Sequence, residues 1–250
     1  MKSRFFWFVI LFLMIFGGIF YFLFLSDFFQ IKSIVVNDGD RISTQEIKSL
    51  AESDLEGKIL FFRTKTIFLV DTSRIRDNLL KTFPQIEEVK IKKGFPDALN
   101  LTIKERKEVG VFCRDIVYFL LDEQGIIFES ASVESSLLKL QNQTFTGELE
   151  LGKKVMEKEL LSSILQIESK LRDNLKTPVK EVSIVSDDNL VAKTNDNWEI
   201  YFNPKKDLNW QMTELAAVLE NRIPEEKRKN LKYIDLRFEK VYIFPETYNQ

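Results

Sequence analysis

Ser136 and Lys139 stand three residues apart, the Ser-x-x-Lys spacing with which penicillin-binding enzymes set an amine beside an acylated serine. The companion motifs of that chemistry, Ser-Asp-Asn and Lys-Thr-Gly, occur nowhere in the chain. Two fixed positions in a serine- and lysine-rich sequence recur by chance, so the pair alone makes no acyl-transfer site. Asp187 and Asp188, with Glu199 further on, could hold a hard cation, but Asp-Asp-Asn is also the composition of a turn between strands. The single cysteine, Cys113, lies in the apolar run Val111-Phe112-Cys113 and reads as a small buried residue rather than a reactive thiol. With no histidine and one cysteine, the chain has no imidazole base or shuttle, no intrachain disulfide and no cysteine-rich zinc site. Its 9 glycines are scattered and form no phosphate cradle. The expectation is a protein that is not an enzyme and has no catalytic residue, cofactor, metal or small-molecule substrate. Lys and Arg (36) and Asp and Glu (38) are intermixed, and the net charge is -2. No basic stripe suits a phosphate backbone, so no nucleic-acid partner is expected either.

What remains is a chain built to hold something, and its elements say where. Residues 5–25 carry no charge, and 16 of the 21 are Leu, Ile, Val or Phe. As a helix they cover roughly 31 Å, the thickness of a bilayer core. A cleaved signal peptide is the competing reading, but Ser26-Asp27-Phe28-Phe29-Gln30 offers no small-x-small site. Lys2 and Arg4 precede the span and Asp27 follows it, which predicts a type II anchor with residues 1–4 as a cytoplasmic tail and the rest exported.

Residues 28–106 read as βααββ. Ile31 to Val36 is a β-branched run, followed by the turn Asn37-Asp38-Gly39-Asp40. Ser43-Thr44-Gln45-Glu46 has the form of a capping box, so a helix is expected from Ser43. Gly57 to Phe62 is an apolar connector. Asp71 can cap a second helix, stapled by Val70 and Ile75 and ended by Pro84. Val89 and Ile91, then Leu99, Leu101 and Ile103, alternate with polar residues about the Gly94–Asp97 turn, predicting a hairpin with one wet face.

Residues 107–246 read as a mixed β domain with two inserted helices. Val117–Leu121 and Ile126–Phe128 flank a turn at Asp122–Gly125. Apolar residues at 156, 160, 164, 167, 171 and 175 keep a helical period up to Thr177-Pro178. Short strands follow at 182–185, 190–192 and 198–202. A second helix has Leu208, Met212, Leu215, Leu219 and Ile223 on one face, ended by Pro224. Tyr233–Phe238 and Val241–Phe244 close the chain as paired strands. The fold class is therefore α+β; the alternative is one long uneven α+β domain.

Phe29-Gln-Ile-Lys-Ser-Ile-Val-Val-Asn, Gly57-Lys-Ile-Leu-Phe-Phe and the stretch Phe83 to Arg106 resemble a POTRA domain, in particular that of the FtsQ/DivIB family of bacterial cell-division proteins. Tyr233-Ile-Asp-Leu-Arg-Phe238 resembles the same family's Asp-Leu-Arg-aromatic signature, and Val241-Tyr-Ile-Phe its final strand. Only Glu239 and Lys240 separate the two, fewer than relatives can have, which shifts the register of any contact carried over.

The resemblance implies a divisome scaffold at the septum, in the bacterial plasma membrane. Its C-terminal strands would hold a segment of the FtsB/DivIC and FtsL pair. Arg237 and Phe238 would then be contacts, with Val241, Tyr242, Ile243 and Phe244 on the pairing strand. Independently, a final strand can lie at a sheet edge with unpaired backbone groups, and only Glu239 and Lys240 guard this one. A POTRA-bearing exported transport or assembly factor that binds substrate strands is the alternative function.

Overall fold

The computed structural model describes residues 2–245 except 38, 40, 60, 61 and 224. Met1 of the expected tail, Asp38 and Asp40 of the expected turn, Leu60 and Phe61 of the connector, Pro224 at the helix stop and Glu246 at the domain end lie outside the described residues. The chain divides into two compact units, Met1–Arg106 and Lys107–Gln250.

The first unit opens with helix α1, Lys2–Phe24, followed by a 3-10 turn at Asp27–Phe29. Strand β1 is Ser33–Asn37, two residues later than the β-branched run begins. The reason is local: Gln30 bridges to Thr66, and the Ile31 amide donates to the Lys65 carbonyl, so residues 30 and 31 are already paired elsewhere. Helix α2, Thr44–Ser53, starts at the expected place, but the Ser43 side chain makes no capping bond, so the capping box is present in sequence only. The apolar connector forms a two-stranded ribbon, β2 (Gly57–Ile59) against β3 (Phe62–Thr64).

Helix α3, Thr72–Thr82, is capped as expected: the Asp71 carboxylate accepts from the amides of Ser73 and Arg74, and Val70 and Ile75 are both buried. Strands β4 (Ile86–Gly94) and β5 (Ala98–Glu105) form the hairpin, and β1 joins β5 in parallel, giving the order β1-β5-β4. Leu99, Leu101 and Ile103 point into the core under α2 and α3. A bulge between Ile86 and Glu88 lets Ile86 and Val89, three residues apart, face the same way.

The second unit is a nine-stranded sheet. Its strands are β6 (Glu108–Arg114), β7 (Val117–Asp122), β8 (Ile127–Ser130), β9 (Lys139–Asn142), β10 (Val179–Ser186), β11 (Asn189–Thr194), β12 (Glu199–Phe202), β13 (Tyr233–Asp235) and β14 (Tyr242–Phe244). Their order is β14-β13-β12-β11-β10-β9-β6-β7-β8. The two inserted helices are α4, Lys158–Asp173, and α5, Leu208–Asn221. Each lies between strands that pair in parallel, β9 with β10 and β12 with β13, which is what a parallel pair requires of its connection. Met156 and Leu175 belong to the helical period yet lie outside α4; both pack on the core beside Leu161, Ile164, Ile167 and Leu171.

Alternation places Val182, Ile184, Leu190, Ala192, Ile200, Phe202, Ile234 and Ile243 in one buried cluster with the faces of α4 and α5. Trp198, Phe112 and Phe202 are its largest fully buried members.

Candidate functional site: the β14 edge

Strand β14 is one lateral edge of the nine-stranded sheet. It pairs antiparallel with β13 in the register Tyr233↔Phe244, Ile234↔Ile243, Asp235↔Tyr242, and no described strand follows it in the order. With a period of two, Ile243 faces inward and is 1% exposed, while Tyr242 and Phe244 face solvent at 50% and 45%. The side chain of Ile243 is therefore core. Val241 is half-buried against the same core.

The strand read over Tyr233–Phe238 stops at Asp235. The Asp235 carboxylate accepts from the Arg237 amide at 3.1 Å and from its guanidinium at 2.9 and 2.6 Å, a local turn that competes with the ladder and ends it. Arg237 is thus held from below, and the ion pair pushes its already high pKa higher. Its guanidinium lies 5.0 Å from the Tyr201 ring centroid and 5.5 Å from that of Phe238. Phe238 stands half exposed and meets Tyr242 edge-on at 5.8 Å. Arg237 therefore positions Phe238 rather than presenting a free charge.

Two residues extend this surface that sequence reasoning did not include. Tyr201 on β12 and Tyr233 on β13 meet edge-on at 5.5 Å, and Tyr233 stacks on Phe244 at 5.6 Å, so an aromatic row crosses three strands. Their signal was available: Ile200, Ile234 and Ile243 face the core, so their neighbours in the period of two face out. Burial pushes the Tyr201 hydroxyl up to about 12, helped by the bond it donates to the Glu199 carboxylate at 2.7 Å.

Beside the edge, a cleft of about 800 Å³ lies between α5 and the turn into β14, lined by Glu214, Val218, Arg222, Lys240, Val241 and Tyr242. Helix α5 is set by its loop. Asp207 caps it through the amides of Asn209 and Trp210, and buried Gln211 exchanges two 2.9 Å bonds with the Asn203 backbone. An edge strand, a row of rings and an adjoining cleft are parts for gripping an extended segment.

The residues considered for chemistry lie apart from this. Ser136 is exposed in the loop before β9, not on a helical turn facing Lys139, and the Lys139 ammonium sits over the Tyr118 ring at 5.8 Å. Asp188 accepts from the Ser186 hydroxyl at 2.6 Å, which lowers its pKa, and Asp187 pairs with Lys205 at 3.3 Å, so both serve the β10–β11 turn. Among the described residues no three metal-ligating side chains converge. Cys113 is buried, and desolvation pushes its thiol up to about 11.

Two family models match the chain. The POTRA domain, FtsQ-type, matches residues 29–106, and the model of the C-terminal part of cell division protein FtsQ/DivIB matches residues 112–237. The second match stops just before Phe238, so the edge strand itself lies beyond it. Among curated proteins, the chain is 32% identical over 107 residues to cell division protein FtsQ of Syntrophotalea carbinolica, covering 43% of this chain and 34% of that protein. It is 27% identical over 119 residues to cell division protein DivIB of Clostridium acetobutylicum, 47% of this chain and 44% of that one. With the DivIB of Clostridium tetani the likeness falls to 20% but runs over 225 residues, 86% of this chain and 78% of the relative. For the first two the matched stretch is thus less than half of the relative's length.

Proposed function

From the premise that the chain belongs to the FtsQ/DivIB family of cell-division proteins, we propose that it is a scaffold at the division septum that holds later division proteins of the FtsB/DivIC and FtsL type by strand addition at β14. The observation that carries this reading is the β14 edge itself, with Tyr242, Phe244 and Phe238 presented outward and the α5 cleft alongside. In strand addition, backbone hydrogen bonds supply affinity and alternate side chains supply specificity. Val241 then contributes through its backbone, and Phe238, Tyr242 and Phe244 through their rings, with Arg237 setting Phe238.

The apolar helix α1 anchors the protein to the membrane, and the basic residues before it favour export of the two folded units. Confinement of scaffold and partner to one membrane raises their effective concentration, so a three-residue edge suffices where free diffusion would demand a larger interface. Short length also keeps this edge from pairing with copies of itself.

Tyr242→Lys should abolish co-purification of the FtsB/DivIC-like partner from membranes while thermal unfolding stays within a few degrees of wild type, because the changed side chain is exposed. Intact binding by a folded Tyr242→Lys protein would refute strand addition here. Depletion should leave undivided filaments; normal division with failed export would support the transport reading instead.

A further inference from the structure

Ten of the 22 phenylalanines stand in the first 29 residues, and the β14 edge uses none of them. Helix α1 ends at Phe24, where the last carbonyls of any helix lack an intrahelical donor. Here the POTRA domain supplies the donors. The Thr64 hydroxyl donates to the Phe24 carbonyl at 2.7 Å, the Gln30 amide donates to the same oxygen at 3.2 Å, and the Thr66 hydroxyl donates to the Leu23 carbonyl at 2.9 Å. The Gln30 carbonyl oxygen in turn accepts from the Lys65 amide at 2.8 Å. A spanning helix must have its polar groups satisfied where the hydrocarbon ends, and this cap does so with side chains of β3 and the residues after it. The domain follows the anchor without a free linker.

A continuous row of rings leaves the helix at the same level. Phe22 meets Phe28 at 5.9 Å and Phe29 at 5.4 Å; Phe29 meets Phe68 at 4.9 Å, and Phe68 meets Phe95, in the β4–β5 turn, at 5.6 Å. Phe28 is 53% exposed, Phe68 40% and Phe95 62%, with Leu69 beside them at 36%. An apolar patch of this kind on a soluble surface marks an interaction site. Its occupant follows from continuity: the patch begins on the last turns of a helix whose other residues require a bilayer, and an exposed face of Phe and Leu at that level buries into the headgroup–acyl boundary.

We propose that Phe28, Phe68 and Phe95 seat in the interfacial layer of the leaflet where α1 emerges, so that the POTRA domain lies on the membrane in one orientation, pinned by the Thr64, Thr66 and Gln30 cap. The anchor is then a platform as well as a tether.

The test uses the full chain in vesicles of phosphatidylcholine and phosphatidylglycerol, with spin labels attached through Phe28→Cys or Phe95→Cys. Both sites are exposed, so the fold tolerates them, and buried Cys113 stays unlabelled, which unsubstituted protein verifies. Gln45→Cys, in the first turn of α2 near the far end of β5, is the reference. Labels at 28 and 95 should collide with oxygen several-fold more than with a water-soluble nickel chelate, and the label at 45 should show the reverse. Equal access of the chelate to all three positions would overturn the proposal. Water exposure of 28 and 95 in these vesicles, which hold no other protein, would point to a partner's membrane helix as the occupant and would overturn it too.

Discussion

The nine-stranded sheet ends in two unlike ways. At β8 the edge is covered at its start: the Ile127 amide donates to the Lys153 carbonyl at 3.0 Å, the Gly152 amide donates to the Ile127 carbonyl at 2.7 Å, and the Val155 amide donates to the Gly125 carbonyl at 2.8 Å. The strap fits because Gly125 has φ +79° and no side chain; a Cβ there would lie 2.0 Å from the Met156 carbonyl oxygen. β14 is the terminal strand at the other end, and the rings beside it face water. The one aromatic on β8, Phe128, is fully buried, whereas Phe244 on β14 is half exposed. One edge is closed by the chain's own backbone. The other carries exposed rings.

The comparison breaks most visibly in the core. Phe128→Ala should cost about 3–5 kcal/mol by chemical denaturation, while Phe244→Ala, losing one exposed stack on Tyr233, should cost no more than about 1 kcal/mol. Ile243→Ala should behave like the core change, at about 2–5 kcal/mol, because the strand alternates. Equal costs at 128 and 244 would mean that Phe244 is structural and not available to a partner.

Next in size, Gly125→Ala should destabilise the second unit by about 1–3 kcal/mol through backbone strain and the Met156 clash. It should also speed amide exchange at Gly152, Ile127 and Val155 and raise self-association, since opening the strap uncovers the start of β8. Unchanged exchange would show that the strap is not what closes β8.

The smallest effect concerns the aromatic row. The Tyr201 hydroxyl is neutral in the fold up to about 12 but ionises near 10.0 when unfolded. Its contribution is thus complete below the lower value and lost as pH rises through the higher one. Across that alkaline window wild type should lose stability faster than Tyr201→Phe. Parallel decline of the two would place Tyr201 outside the packed row.

The sequence made most of this fold legible because most of its elements follow one period. The second helix of the POTRA domain, its hairpin and both helices of the second unit rest on apolar spacing that the structure keeps. What was missed lacks that signal. Strand β9 has one apolar residue, Leu140, yet sits inside the sheet between β6 and β10, where its neighbours rather than its own pattern make it a strand. The early end of β13 was hidden because the Asp235–Arg237 bonds that end it leave no mark on the apolar period. At the edge, the period of two marks Ile243 as core and Tyr242 and Phe244 as outward once the strand is known to be lateral. That position comes from the parallel β12–β13 pairing across α5, a long-range fact.

The central claim is that β14, and not β8, receives a partner. A photoreactive benzoyl-phenylalanine placed at Phe244 or, separately, at the exposed Ser130 on β8 tests it in dividing cells. Irradiation should yield an adduct with an FtsB/DivIC-type protein from position 244 and none from 130. An adduct from 130 alone, or none from 244 in cells that divide normally, would contradict the account.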